Sequence, residues 1–149
     1  MTVFRNVAGA IAALTMTAGV AAANWSVAPE SGWIVEAPTA FGPADGGGAA
    51  VALTCFDDKA PLAIVTTGQQ EGPEISDVIM TIDGREFRLA ARREDDKWIG
   101  EPTPLLIAAL ARGLVLEVSA PAAEPARISL RGSARALGEV MTPCTAVFG

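Results

Sequence analysis

The sequence predicts one α+β domain: a mainly antiparallel sheet forming a sandwich-like body or half-barrel, with two short helices and one disulfide. Three observations predict it. Short runs of alternating apolar and polar residues, separated by turn residues, recur from position 49 to position 130, and period two is the signature of strands. Two segments, 103–113 and 133–143, carry helix start and stop signals instead. The chain also contains two cysteines, Cys55 and Cys144, an even number that reads as a bridge in an oxidising compartment. At 149 residues there is room for one domain, and its core needs neither metal nor cofactor to be stable.

The elements follow in chain order. Residues 1–23 read as a secretory signal peptide, with Arg5 as the only charge, an apolar run at 7–20 and Ala21-Ala22-Ala23 as the cleavage site. The apolar run is shorter than the ~20 residues that span a bilayer. The first cysteine lies far beyond the cleavage site, so lipid attachment there is not expected. Residues 24–149 then form a single exported globular domain with no stable membrane anchor after processing.

Within that domain, 25–27 and 33–36 are β-prone pieces split by Pro29 and Ser31-Gly32. Residues 37–48, with Pro38, Pro43 and Gly46-Gly47-Gly48, read as a loop. The glycine run lacks the Lys-Ser/Thr ending of a phosphate loop. Val51, Leu53 and Cys55 share one face of a strand whose antiparallel partner is 62–67. Asp83-Gly84 between alternating runs predicts a two-residue hairpin turn. It pairs Ile82 with Arg85, Met80 with Phe87 and Val78 with Leu89 on the inner face, leaving Thr81 with Glu86 and Ile79 with Arg88 outside. Thr103 as N-cap, Pro104 as first helical residue and Gly113 as C′ delimit a helix that is apolar nearly all round and should be largely buried. Leu114, Leu116 and Val118 should face inward on the next strand, with Ile128 and Leu130 on its partner. Ser133 then caps a last helix presenting Leu137, Val140 and Met141, which ends at Pro143 and brings Cys144 to the strand of Cys55.

Composition excludes several classes of function. Eleven cations face seventeen carboxylates, a net charge of −6, and losing Arg5 with the leader leaves ten against seventeen. Such a body repels nucleic acids and anionic lipid surfaces. Histidine and tyrosine are absent, which removes Ser-His-Asp and Cys-His nucleophiles and most zinc sites. No calcium-loop spacing, nucleophile elbow or Cys-x-x-Cys motif is present. No catalytic residue, metal or cofactor is therefore expected, and Cys55 and Cys144 read as a structural staple.

The carboxylates cluster at Asp57-Asp58 and at Glu94-Asp95-Asp96. The second cluster lies in a stretch of mixed sign that reads as a solvated connection, followed by Trp98. A tryptophan serves either as core or as a stacking platform. Trp33, alternating with Val35, reads as core, and Trp98 reads as packing at the sheet rim. Ligand stacking by Trp98 remains the alternative, which makes Trp98, Asp95 and Asp96 the candidate binding surface.

Four segments carry a resemblance: Ala-Val-Ala-Leu-Thr-Cys at 50–55, Val-Ile-Met-Thr-Ile-Asp-Gly at 78–84, Leu-Leu-Ile-Ala-Ala-Leu-Ala-Arg-Gly-Leu-Val-Leu-Glu-Val at 105–118, and Ile-Ser-Leu-Arg-Gly-Ser-Ala-Arg-Ala-Leu-Gly-Glu-Val at 128–140. In their order and type they resemble the small exported proteins of the invasion-associated locus B family. The type VI secretion accessory protein VasI is similar in the same stretches. The shared positions are mostly apolar or glycine, and the chain lacks the second cysteine pair of the first family, so invasion itself is not carried over. The resemblance implies a periplasmic or secreted, non-enzymatic accessory protein that binds an envelope protein or cell-wall component. The alternative is a secreted inhibitor of a basic hydrolase such as lysozyme, for which an acidic, compact, disulfide-bonded body is suited.

Overall fold

The computed structural model describes residues 32–56 and 60–144. The leader, Trp25, the strand expected at 25–27 and the Asp57-Asp58 pair lie outside them. Nine strands occur among the described residues: β1 (Ile34–Glu36), β2 (Thr39–Pro43), β3 (Ala50–Thr54), β4 (Leu62–Thr66), β5 (Ile75–Ile82), β6 (Arg85–Glu94), β7 (Lys97–Gly100), β8 (Val115–Ser119) and β9 (Ala126–Ser129). Helix α1 (Pro104–Arg112) separates β7 from β8, and α2 (Ser133–Val140) follows β9, ending in a 3-10 turn at Thr142–Cys144. All strands join one antiparallel sheet in the order β9-β8-β5-β6-β7-β4-β3-β2-β1.

The β5–β6 hairpin has the expected register, with Ile82 opposite Arg85, Met80 opposite Phe87 and Val78 opposite Leu89. Asp83 and Gly84 both hold positive φ, 49° and 86°, as the favoured two-residue turn requires. The Asp83 carboxylate has a second task, accepting hydrogen bonds from the backbone N–H of Leu114 (3.0 Å) and Val115 (3.1 Å) and so fixing the entry to β8.

The sheet curls into a half-barrel until its two ends meet. A β-bridge joins Ala44, just after β2, to Ile128 of β9, and the Asp45 N–H donates to the Arg127 carbonyl. Nearby, the Trp33 N–H donates to the Arg131 carbonyl and the Trp33 indole Nε1 to the Ser129 carbonyl, both at 2.9 Å. The residues that fill the interior come from every wall: Trp33, Leu53, Val65, Met80, Leu89, Trp98, Leu116 and Ile128 are all buried. Helix α2 packs on α1 and on β1, β2 and β3. Its end is held to the end of β3 by the Cys55–Cys144 disulfide, with Cα atoms 5.8 Å apart.

Five local expectations are corrected. Residues 39–43 are a strand, although the prolines and glycines around them read as a loop. Ala44 N–H bonds to Ala49 O, and Cys55 N–H bonds to Pro38 O. These bonds turn the even-numbered backbone groups of β2 toward β3, so the Pro43 nitrogen faces the other side, beyond the last pair that β1 forms. Its missing donor therefore costs no ladder bond.

Helix α1 is capped as expected, the Thr103 hydroxyl accepting from the Leu106 N–H at 3.1 Å, but it buries only Leu106 and Leu110 fully and leaves Leu105 67% exposed. The glycine that ends it, Gly113, is extended instead of left-handed. A glycine is needed there because a Cβ would overlap the Ile82 side chain. Leu114, expected inside, is exposed and precedes the strand, its N–H bonded to Asp83, while Leu116 and Val118 do face inward.

Ser133 does not cap α2. Gly132 holds the N-cap position in the left-handed region, and Ser133 is the first helical residue. Its buried hydroxyl donates instead to the Leu110 carbonyl of α1 at 2.7 Å. That carbonyl sits in the last turn of α1, where the natural donor, Leu114 N–H, is already bonded to Asp83. Ser133 thus joins the two helices through an orphan acceptor. Ser133→Ala is expected to lower stability by about 1–2 kcal/mol, read as a lower urea midpoint at unchanged slope.

Candidate binding site

A concave feature lies where the curled sheet meets itself. It is a cavity of about 430 Å³ open to solvent at one side. Its inner wall is apolar, with Ala50, Val65, Val118 and Ile128 from four strands that the curl brings together. The mouth is formed by the β2–β3 turn and by the β8–β9 connection. There Asp45, Glu124, Arg127, Thr67 and Gln69 supply the polar groups. Arg127 Nε and Asp45 Oδ2 stand 4.0 Å apart and exposed, so the pair is weak and leaves both groups available for other partners. An apolar wall with a few polar groups at the rim is the ordinary make-up of a small-ligand pocket, and the volume is at the lower end for one.

None of the three residues expected at the binding surface lines this cavity. Asp95 and Asp96 are the two turn residues of a second tight hairpin, β6–β7, with Glu94 opposite Lys97. Asp95 holds φ 58°, a conformation that aspartate tolerates better than most residues. The Asp96 carbonyl accepts the Thr67 N–H at 3.0 Å, so this turn braces a residue of the cavity rim, while its carboxylate pairs with Lys97 at 3.2 Å. Trp98 is fully buried, opposite Val65 on the inner face. Its ring is core and presents no stacking face, because strand β7 begins at Lys97 and alternation turns position 98 inward.

The mixed-charge stretch expected as a solvated connection is more ordered than that. Arg93 donates through Nη1 to Gln70 O (2.8 Å), through Nη2 to Gly72 O (3.2 Å) and through Nε to Pro73 O (3.3 Å), holding the segment before β5. Arg92 pairs with Glu94 at 2.7 Å on the outside. Among the described residues no group of three or more His, Cys, Asp or Glu side chains is placed to hold a metal ion.

The cavity residues themselves were not singled out in the sequence. They are mainly alanine, glycine and valine, types that carry no chemical signal, and they come together only through the seam between β2 and β9.

A similar fold is found in a solved structure. The fold is similar to that of invasion associated protein B from Bartonella henselae. The superposition covers 73% of this chain and 89% of that one, with a TM-score of 0.53 and 14% sequence identity. At that identity the likeness is one of fold. No protein-family model matches the chain, and no curated protein matches it. Among the described residues no helix is long and apolar enough to cross a membrane.

Proposed function

We propose that the chain is a non-enzymatic accessory protein of the cell envelope, exported to the periplasm or beyond, which acts by binding an envelope protein or a cell-wall component. The observation that carries this reading is the cavity at the seam: an apolar recess with Asp45, Glu124, Arg127 and Gln69 around its mouth, built to hold a group and orient it. The disulfide supports an oxidising compartment, and the fold shared with an invasion associated protein supports an envelope setting.

The test is retention of envelope material by purified protein. The wild type is expected to capture a defined species from solubilised envelope or cell-wall digest. Ala123→Trp, which places a large ring at the cavity mouth from a loop position, is expected to lose it while keeping the thermal midpoint. Capture that Ala123→Trp leaves unchanged would remove the cavity from the function. Inhibition of lysozyme by the wild type would instead favour the inhibitor reading, to which the acidic surface also lends itself.

A further inference from the structure

A second recess lies on another part of the molecule, between α1 and the tip of the β5–β6 hairpin. It has a volume of about 280 Å³. One wall is a helix face: Leu105, Ala108, Ala109 and Arg112 follow the i, i+3, i+4, i+7 spacing. This stripe is separate from the buried pair Leu106 and Leu110 that attaches α1 to the core. The opposite wall is Phe87 and Arg85 of β6, with the Arg85 guanidinium 5.0 Å from the Phe87 ring centre. The helix lies here because β7 pairs with β6 only from Ala91 to Glu94, leaving residues 85–90 without a strand on that side among the described residues.

The charge of this groove is opposite to that of the molecule. Arg85 and Arg112 both line it, and neither forms an ion pair within 4.0 Å among the described residues. The one carboxylate present, Asp83, is engaged with the Leu114 and Val115 N–H groups. Two guanidinium groups without a carboxylate partner, one of them stacked on Phe87, and an exposed leucine therefore stand together on a chain with a net charge of −6.

We propose that this groove docks a short acidic and apolar peptide segment of a partner protein. An apolar side chain would sit beside Leu105 in the space left by Ala108 and Ala109, and a neighbouring carboxylate would lie between Arg85 and Arg112. The volume takes one or two side chains, not a larger ligand. Charge selects the occupant. A membrane or a nucleic acid is an extended polyanion that the acidic remainder of the surface repels, whereas a peptide brings one or two carboxylates to the two arginines alone. A second copy of this acidic chain is disfavoured by the same repulsion.

The test uses two fluorescein-labelled synthetic peptides, Gly-Ser-Leu-Glu-Phe-Glu-Ser-Gly and the same peptide with lysine in place of each glutamate, read by fluorescence anisotropy. The acidic peptide is expected to bind about tenfold more tightly than the basic one. Arg85→Glu and Arg112→Glu are each expected to weaken it roughly fivefold, as one lost exposed ion pair would. The double reversal Arg85→Glu/Arg112→Glu should prefer the basic peptide, a gain that a misfolded protein could not show. Ala108→Trp should block both peptides. Equal binding of the two peptides, no binding of the acidic one at millimolar concentration, or arginine variants that bind like wild type would overturn the proposal. So would co-sedimentation with phosphatidylglycerol vesicles or self-association in analytical ultracentrifugation, if either were lost in Arg112→Glu. The cavity variant Ala123→Trp should leave peptide binding intact, so failure of the seam cavity and failure of this groove are read separately.

Discussion

Replacing Cys55 and Cys144 together by alanine is expected to lower the stability of the domain by about 2–5 kcal/mol. The bridge closes an interval of 89 residues that contains six of the nine described strands, so its loss frees an unfolded chain that was strongly constrained. In the chain-entropy model that constraint is worth ~4–5 kcal/mol. In the native state the bond holds the turn after α2 against the end of β3, and both cysteines are buried, 2% and 0% exposed. Two readouts separate this role from a chemical one. The urea midpoint should fall while the slope rises, because the unbridged unfolded chain exposes more surface. Where the protein remains folded, acidic-peptide binding at the α1–β6 groove should be unchanged. A double variant with unaltered midpoint, or free thiols titrating in protein isolated from the periplasm, would contradict a structural bond.

Trp33→Ala is expected to cost about 3–5 kcal/mol, the range for truncating a buried tryptophan. Trp33 is 1% exposed and joins the first strand to the last, its backbone N–H reaching Arg131 O and its indole Nε1 reaching Ser129 O. The ring also lies flat against Gly42, where a Cβ would overlap the indole. Trp33→Phe should cost less, about 1–3 kcal/mol, since a ring remains while the Ser129 carbonyl loses its donor. Gly42→Ala should itself destabilise by roughly 1–3 kcal/mol through overpacking. The double variant Trp33→Phe/Gly42→Ala should lose less than the two single losses added together, because the smaller ring vacates the space that the new methyl enters. Strict additivity in chemical denaturation would show that the two residues do not share that contact.

The legible parts of this protein are those in which neighbours in sequence are neighbours in space. The Asp83-Gly84 turn and the register around it, the Thr103-Pro104 start of α1, the inward faces of β3, β8 and β9 and the cysteine pair all rest on local pattern or on a pair with one connectivity. The errors arose where a residue's role is assigned by something distant. Ser133 has the type and position of a helix cap, and it bonds to a helix 23 residues earlier because Asp83 had taken the donor of Leu110 O. The 39–43 segment carries breakers on both sides, and it becomes a strand because β1 and β3 flank it and its proline nitrogen falls beyond the end of β1. Trp98 follows charged residues, and it is core because those residues form a tight turn that restarts the alternation at Lys97.

Alternation, turn chemistry and cysteine count were thus enough to determine an antiparallel α+β domain with two helices and one bridge. The closure of the sheet and the two recesses were decided by tertiary structure alone. The Ala44–Ile128 bridge joins residues 84 positions apart, and no local pattern encodes how far a twisted sheet will curl before its ends meet. The cavity walls are small apolar residues, and the groove walls are a helix face and a hairpin tip 18 or more positions apart. The space between these walls exists only once the chain has folded.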